Sequence, residues 1–161
     1  MIVVLDASTL INLDNGDALA KVLSIPHRSF QVSTEVLRES RTVAAAIKAA
    51  VAQGQLALVD DSAIDANEYE DAIEKWQLGP GETECILAAR SLGCSVACDD
   101  GAARKVIRRE IGVGRLTGTV GLLRDAIAAG LTTAEAAFES YQQMKRNGGF
   151  LPDLTLSDFK T

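Results

Sequence analysis

Three aspartates stand where short apolar runs stop. Ile2 to Leu5 runs into Asp6, and Ser95 to Cys98 runs into Asp99 and Asp100. Glu39 and Glu84 fall in segments that read as helices and can project acids toward the same edge. One acid at the end of a buried strand is explained by helix capping. Several in company are not, because two unit charges ~4 Å apart repel by about 4 kcal/mol at an effective dielectric of about 20, so gathered carboxylates imply a cation. Carboxylates and water are the ligands that Mg²⁺ and Mn²⁺ prefer, and a single histidine argues against zinc. Such an ion holds phosphate and eases the loss of a proton from water, which is the chemistry of phosphodiester hydrolysis.

Glu82 and Glu84 have to be separated, since two helix positions rotate a side chain by about 200°. Glu84 is the preferred site residue; Glu82, in the first turn after Gly81, is accounted for by the helix dipole. The acids Asp60, Asp61, Asp65, Glu68, Glu70, Asp71 and Glu74 read as a solvated helix start and face. No G-x-x-x-x-G-K-[ST] loop is present, and Gly118-Thr119-Val120-Gly121 reads as a helix cap ahead of a phosphate cradle. Arg104, Lys105, Arg108 and Arg109 are the first candidates for contacting a phosphate backbone, against a solvated face.

Other chemistries are excluded by what is scarce. His27, the only histidine, follows Pro26 in a turn, so neither a Ser-His-Asp triad nor a His/Cys zinc site can be assembled. Cys85, Cys94 and Cys98 form no C-x-x-C pair and read as small core residues in a reducing compartment. The net charge of −6 is awkward for a nucleic-acid enzyme, but total charge does not fix its distribution. An acid already at position 6 argues against a signal peptide, and no apolar run approaches the ~20 residues of a membrane span, so a soluble cytoplasmic protein is expected.

The positioning elements follow from pattern. At 161 residues and 47% hydrophobic content, one domain spanning 1–161 is expected. Strands are predicted at Ile2 to Leu5, Phe30 to Val32, Leu56 to Val59, Ser95 to Cys98 and Gly112 to Leu116. Helices are predicted after Ser33 or Thr34, over Val43 to Ala52, from Asp61 or Ser62 through Trp76, and over Glu82 to Leu92, Ala102 to Glu110, Val120 to Ala129 and Thr133 to Lys145. The segment Leu78 to Gly81 is read as loop, and 147–161 as a surface tail. Alternating strands and helices specify an α/β fold with a parallel sheet, whose functional groups gather outside the carboxyl ends of the strands.

The chain resembles the PIN-domain nucleases. Val4-Leu5-Asp6-Ala7-Ser8-Thr9 looks like that family's first acidic motif and Val36-Leu37-Arg38-Glu39 like its second. Gly81-Glu82-Thr83-Glu84 before Ile86-Leu87-Ala88-Ala89 is similar to the third, and Cys98-Asp99-Asp100-Gly101 to the fourth. Thr117 to Leu123, followed by Gly130-Leu131, further resembles a prokaryotic subgroup often found as toxins of toxin-antitoxin pairs. The resemblance implies a parallel sheet flanked by helices and endoribonuclease activity on single-stranded RNA. It also implies Mg²⁺ or Mn²⁺ held by Asp6, Glu84, Asp99 and Asp100 with Glu39 beside them, a homodimer, and restraint by a protein antitoxin. Two departures stand out: Cys98 replaces the Ser or Thr that many relatives carry before the last acid, and either Asp99 or Asp100 can be the ligand. Two other readings remain, a non-catalytic PIN-like binding module and a receiver-like phosphoryl-transfer domain.

Overall fold

The computed structural model describes residues 1–160. Strands β1 (Ile2–Leu5), β2 (Ser29–Val32), β3 (Leu56–Leu58), β4 (Ser95–Ala97) and β5 (Leu116–Thr117) form one parallel sheet in the order β3-β2-β1-β4-β5. Helices α1 (Ala7–Asn15), α2 (Leu19–Leu23), α3 (Thr34–Glu39), α4 (Ala44–Ala52), α5 (Ala66–Trp76), α6 (Pro80–Leu92), α7 (Gly101–Glu110), α8 (Thr119–Ala128) and α9 (Ala134–Arg146) flank it. The α/β architecture expected from the alternation is therefore the one the chain adopts. Val3, Val4 and Leu5 of β1 and Val96 and Ala97 of β4 are wholly buried, because helices cover both faces of these central strands. That double burial is why they read as unbroken apolar runs. Among the described residues no helix is long and apolar enough to cross a membrane.

The strand order decides where a site can form. From β1 the chain builds outward through β2 and β3, then returns to the other side of β1 as β4. The direction of winding thus reverses between β1 and β4, and at such a switch point the connections after two adjacent strands diverge to leave a crevice. Leu5 pairs with Ala97, and the Asp6 amide donates to the Ala97 carbonyl at 3.0 Å, so Asp6 and Cys98 leave the sheet side by side.

Several boundaries differ from the sequence expectation. α2 was not anticipated; at five residues it is too short for a periodic signal. Asp61–Ala63 is a tight 3₁₀ turn, and α5 starts only after Asp65, whose side chain accepts from the Asn67 and Glu68 amides. α6 begins at Pro80, inside the segment read as loop; proline suits a first helical position because its missing N–H would have had no partner there. β5 is Leu116–Thr117, preceded by a 3₁₀ turn over Val113–Arg115.

The tail is tied down. Phe159 is wholly buried against the rings of Phe138 and Tyr141, and the Tyr141 hydroxyl donates to the Pro152 carbonyl at 2.6 Å while accepting from the Leu154 amide at 3.0 Å. Met144 and Leu151 are also buried, whereas Phe150 projects outward.

Candidate functional site

Asp6 terminates β1 and opens α1. One carboxylate oxygen, Oδ2, acts as a cap: it accepts from the Ser8 hydroxyl at 2.6 Å, the Ser8 amide at 3.3 Å and the Cys98 thiol at 3.4 Å. The other, Oδ1, is buried and accepts from nothing among the described residues. Burial raises the carboxyl above its ordinary range, and the Ser8 and Cys98 hydrogen bonds offset this only in part. Burial and the adjacent Asp6 charge push the Cys98 thiol far up, so it stays protonated and able to donate. The cysteine is core-like, as expected, yet it also steadies the buried acid.

Asp99 and Asp100 are neighbours with different duties. Asp99 Oδ1 accepts from the Thr119 amide at 3.0 Å; its Oδ2 accepts from the Asn12 side-chain amide at 3.0 Å, from Thr9 Oγ1 at 3.4 Å and from Thr119 Oγ1. It thereby caps α8 from another strand and ties α1, β4 and α8 together at the crevice. A Cβ on Gly118 would stand 2.5 Å from Asp99 Oδ1, so glycine lets this carboxylate reach the helix end. The Gly118-Thr119 segment is a helix cap, filled by Asp99. Asp100 is exposed and caps α7, its Oδ1 accepting from the Ala102 and Ala103 amides at 2.8 Å each.

The glutamates separate. Glu39 Oε1 accepts from the Gly81 amide at 3.0 Å, anchoring the end of α3 to the start of α6. Glu82 Oε2 accepts from the Gly79 amide at 2.9 Å, closing the first turn of its own helix. Burial first, and then the charges of Asp6, Asp100 and Glu39, push the Glu82 carboxyl up, against the Gly79 hydrogen bond. Glu84 is engaged elsewhere: its Oε2 accepts from the Glu35 amide at 3.0 Å, in a cleft shared with Tyr69, Arg38 and Asp61. The Tyr69 hydroxyl is raised by burial and by the charges of Glu84, Glu35 and Glu39.

Comparison with known families decides what this crevice belongs to. A family model described as DUF3368, PIN domain, matches residues 2–160. The chain belongs to the PIN-domain family. No curated protein and no solved structure gives a significant match. PIN domains are in general nucleases that use divalent metal, and the chemistry of this crevice suits such an ion. Its donors are hard carboxylate oxygens, and Asp6 Oδ1 is a buried acceptor left without a proton donor. The carboxylates that could hold it are those of Asp6, Asp99 and Asp100 and of Glu82 or Glu84, with Glu39 bonded to the start of α6. Among the described residues, no three acidic, thiol or imidazole groups already stand together at metal-ligand spacing. Side-chain rotation of the exposed Glu39 and Asp100 and half-buried Glu82 would therefore have to complete the set.

Two residues of the PIN domain carry duties that sequence reasoning did not give them. Arg104 donates to the carbonyls of Cys98 at 2.6 Å and Thr117 at 2.9 Å, clamping the ends of β4 and β5 instead of facing solvent. Arg109 pairs with Glu110, which leaves Lys105 and Arg108 exposed on α7. Gly81 is not simply a turn residue, since an added Cβ would meet Glu39 Oε2 at 2.5 Å and Val36 Cγ2 at 3.1 Å. Gly81→Ala is expected to cost about 1–3 kcal/mol through this overpacking. Combining it with Glu39→Ala should recover most of that loss, because the nearest clash disappears and alanine is otherwise favoured over glycine in a helix. Urea unfolding of the parent, both single variants and the double variant measures the coupling; strict additivity would show that Glu39 is not seated there.

Proposed function

We propose that this PIN domain is a metal-dependent endoribonuclease that hydrolyses phosphodiester bonds in single-stranded RNA with Mg²⁺ or Mn²⁺. The observation that carries the reading is the buried, unpartnered Oδ1 of Asp6 at the switch point of the sheet, in a field shared with Glu82, Asp100 and Glu39. When bound, the ion supplies charge for the scissile phosphate and a water that loses its proton readily. Asp6 offers the fixed oxygen, held in place by Ser8 and Cys98. Asp99 positions α1 and α8 at the site's edge and is a ligand candidate only if its helix-capping bonds loosen. Asp100 and Glu39 are exposed carboxylates able to rotate toward substrate or ion. Of the two α6 acids we favour Glu82, which lies in the field of Asp6; Glu84 accepts from the Glu35 amide, although its charge and that of Asp6 both reach Cys85.

Incubation with a labelled single-stranded RNA should give Mn²⁺-dependent cleavage that EDTA abolishes. Glu82→Gln should reduce the rate by about tenfold or more, and more than Glu84→Gln does. The reverse ranking would return the α6 duty to Glu84. We further propose, from the family resemblance, a homodimer acting as the toxin of a toxin-antitoxin pair, restrained by a protein antitoxin. Light scattering, and the product of the neighbouring reading frame, test this. A second reading, the non-catalytic binding module, draws support from the lack of a ready ligand cluster among the described residues. RNA binding without turnover at any Mn²⁺ concentration would establish it.

A further inference from the structure

Alone among the chain's phenylalanine, tyrosine and tryptophan rings, Phe150 stands in solvent, at 94% exposed. Its backbone is nevertheless fixed. The Gly149 amide donates to the Met144 carbonyl at 2.9 Å, Leu151 is buried, and the next residue's carbonyl is held by Tyr141. A Cβ on Gly149 would come within 2.6 Å of Asn12 Oδ1, so glycine is what lets this segment lie against α1. Asn12 is the residue whose amide donates to Asp99. The ring is thus presented from a rigid mount one residue away from the crevice.

Two clefts share Phe150 and Asp99 as walls. One, of about 520 Å³, adds Leu116, Val120, Pro152 and Leu154 with Arg104 and Arg124; the other, of about 240 Å³, adds Ser8, Asn12 and Asp100. Arg124 is exposed, with its Nε donating to the Asp158 carbonyl at 3.0 Å and no ion pair among the described residues. The larger cleft sets apolar side chains beside two guanidinium groups and a carboxylate, a mixed lining unlike the broad apolar patch that marks many protein interfaces. It does match a nucleotide, which presents an apolar base face beside an anionic phosphate.

We propose that Phe150 is a stacking platform that seats one base of single-stranded RNA beside the acidic crevice, with Arg124 available to the adjoining phosphate. This rests on the ribonuclease reading. Phe150 acts by positioning the strand and takes no part in the bond-breaking step. Because stacking needs only a π-face, the platform tolerates any base, and it discriminates against nucleotides lacking one.

The test uses the whole chain and a mixed-sequence single-stranded RNA ten-mer, with affinity read by anisotropy in Mn²⁺ during the first seconds of mixing. Phe150→Ala is expected to weaken binding about tenfold, with an unchanged melting temperature and a loss expressed in KM more than kcat. Phe150→Trp should retain affinity, and its emission should be quenched by the RNA but not by a ten-mer made abasic throughout; Trp76 is buried and supplies a constant background. Equal affinities for parent and Phe150→Ala, with no quenching of Phe150→Trp, would overturn the platform while leaving cleavage by the parent intact. A parent that neither binds nor cleaves RNA overturns the platform and the ribonuclease reading together. If Phe150→Ala instead converts a dimer into a monomer by sedimentation while RNA affinity holds, the ring seats a second copy of the chain and the proposal fails.

Discussion

Asp6→Asn is expected to lower RNA cleavage by about a hundredfold or more while leaving the protein at least as stable as the parent near neutral pH. Asparagine keeps the shape and an acceptor for Ser8 and Cys98 but removes the charge. The pH dependence carries the sign of the argument. Burial, the largest influence on Asp6, raises its carboxyl above the ordinary 3.8. Between that value and the raised folded value, the folded chain holds a proton that the unfolded chain has released. Stability contributed by this group is therefore lost as pH rises through the window. Glu82, raised from 4.5 chiefly by burial, adds the same slope. Thermal unfolding in EDTA from about pH 4 to pH 7 should show the parent losing stability relative to Asp6→Asn. Saturating Mn²⁺ should then restore the parent and not the variant, by about 2.7 kcal/mol at a hundredfold excess over Kd. A parent that gains on the variant as pH rises would mean that Asp6 is already satisfied inside the protein, and the cation reading would fall.

Asp6 and Asp99 were legible in the sequence for a physical reason. A parallel strand covered on both faces must be apolar along its length, so the acid that ends it marks the carboxyl edge. What was not legible came from tertiary packing. The rotation between Glu82 and Glu84 shows that they face apart, but which one faces Asp6 depends on how α6 lies against β1 and α3. Pro80-Gly81 belongs to α6 and not to the loop, and Glu82 closes the helix's first turn, in keeping with its reading as a first-turn acid. Gly81 was visible as a glycine, yet its reason is a carboxylate 42 residues away in sequence. Arg104 fits an exposed helix face by composition; only the approach of β4 to β5 turns it inward as a clamp.

The adjacent aspartates, which spacing could not separate, should part company under mutation. Asp99 serves four donors: the Thr119 amide and hydroxyl, the Asn12 amide and the Thr9 hydroxyl. Thr9 and Thr119 are wholly buried and Asn12 nearly so, so only water entering from the adjoining clefts could replace the lost acceptor. Each buried donor left unmade costs about 1–3 kcal/mol, although hydroxyls can swing to other acceptors. The Asp99→Ala variant should therefore lose about 3 kcal/mol, a drop in Tm of about 6–12 °C for a chain of this size. Asp100→Asn should behave in the opposite way. Its Oδ1 contacts with the Ala102 and Ala103 amides survive in asparagine, which caps helices about as well as aspartate, so stability should stay within about 0.5 kcal/mol. Its charge, which reaches Glu82, is lost, and cleavage should fall by about tenfold or more. Calorimetry beside an RNA-cleavage assay reads both outcomes. An Asp99→Ala protein that melts with the parent, together with an Asp100→Asn protein that melts early, would reverse the two roles and make Asp99 the acid free to serve the ion.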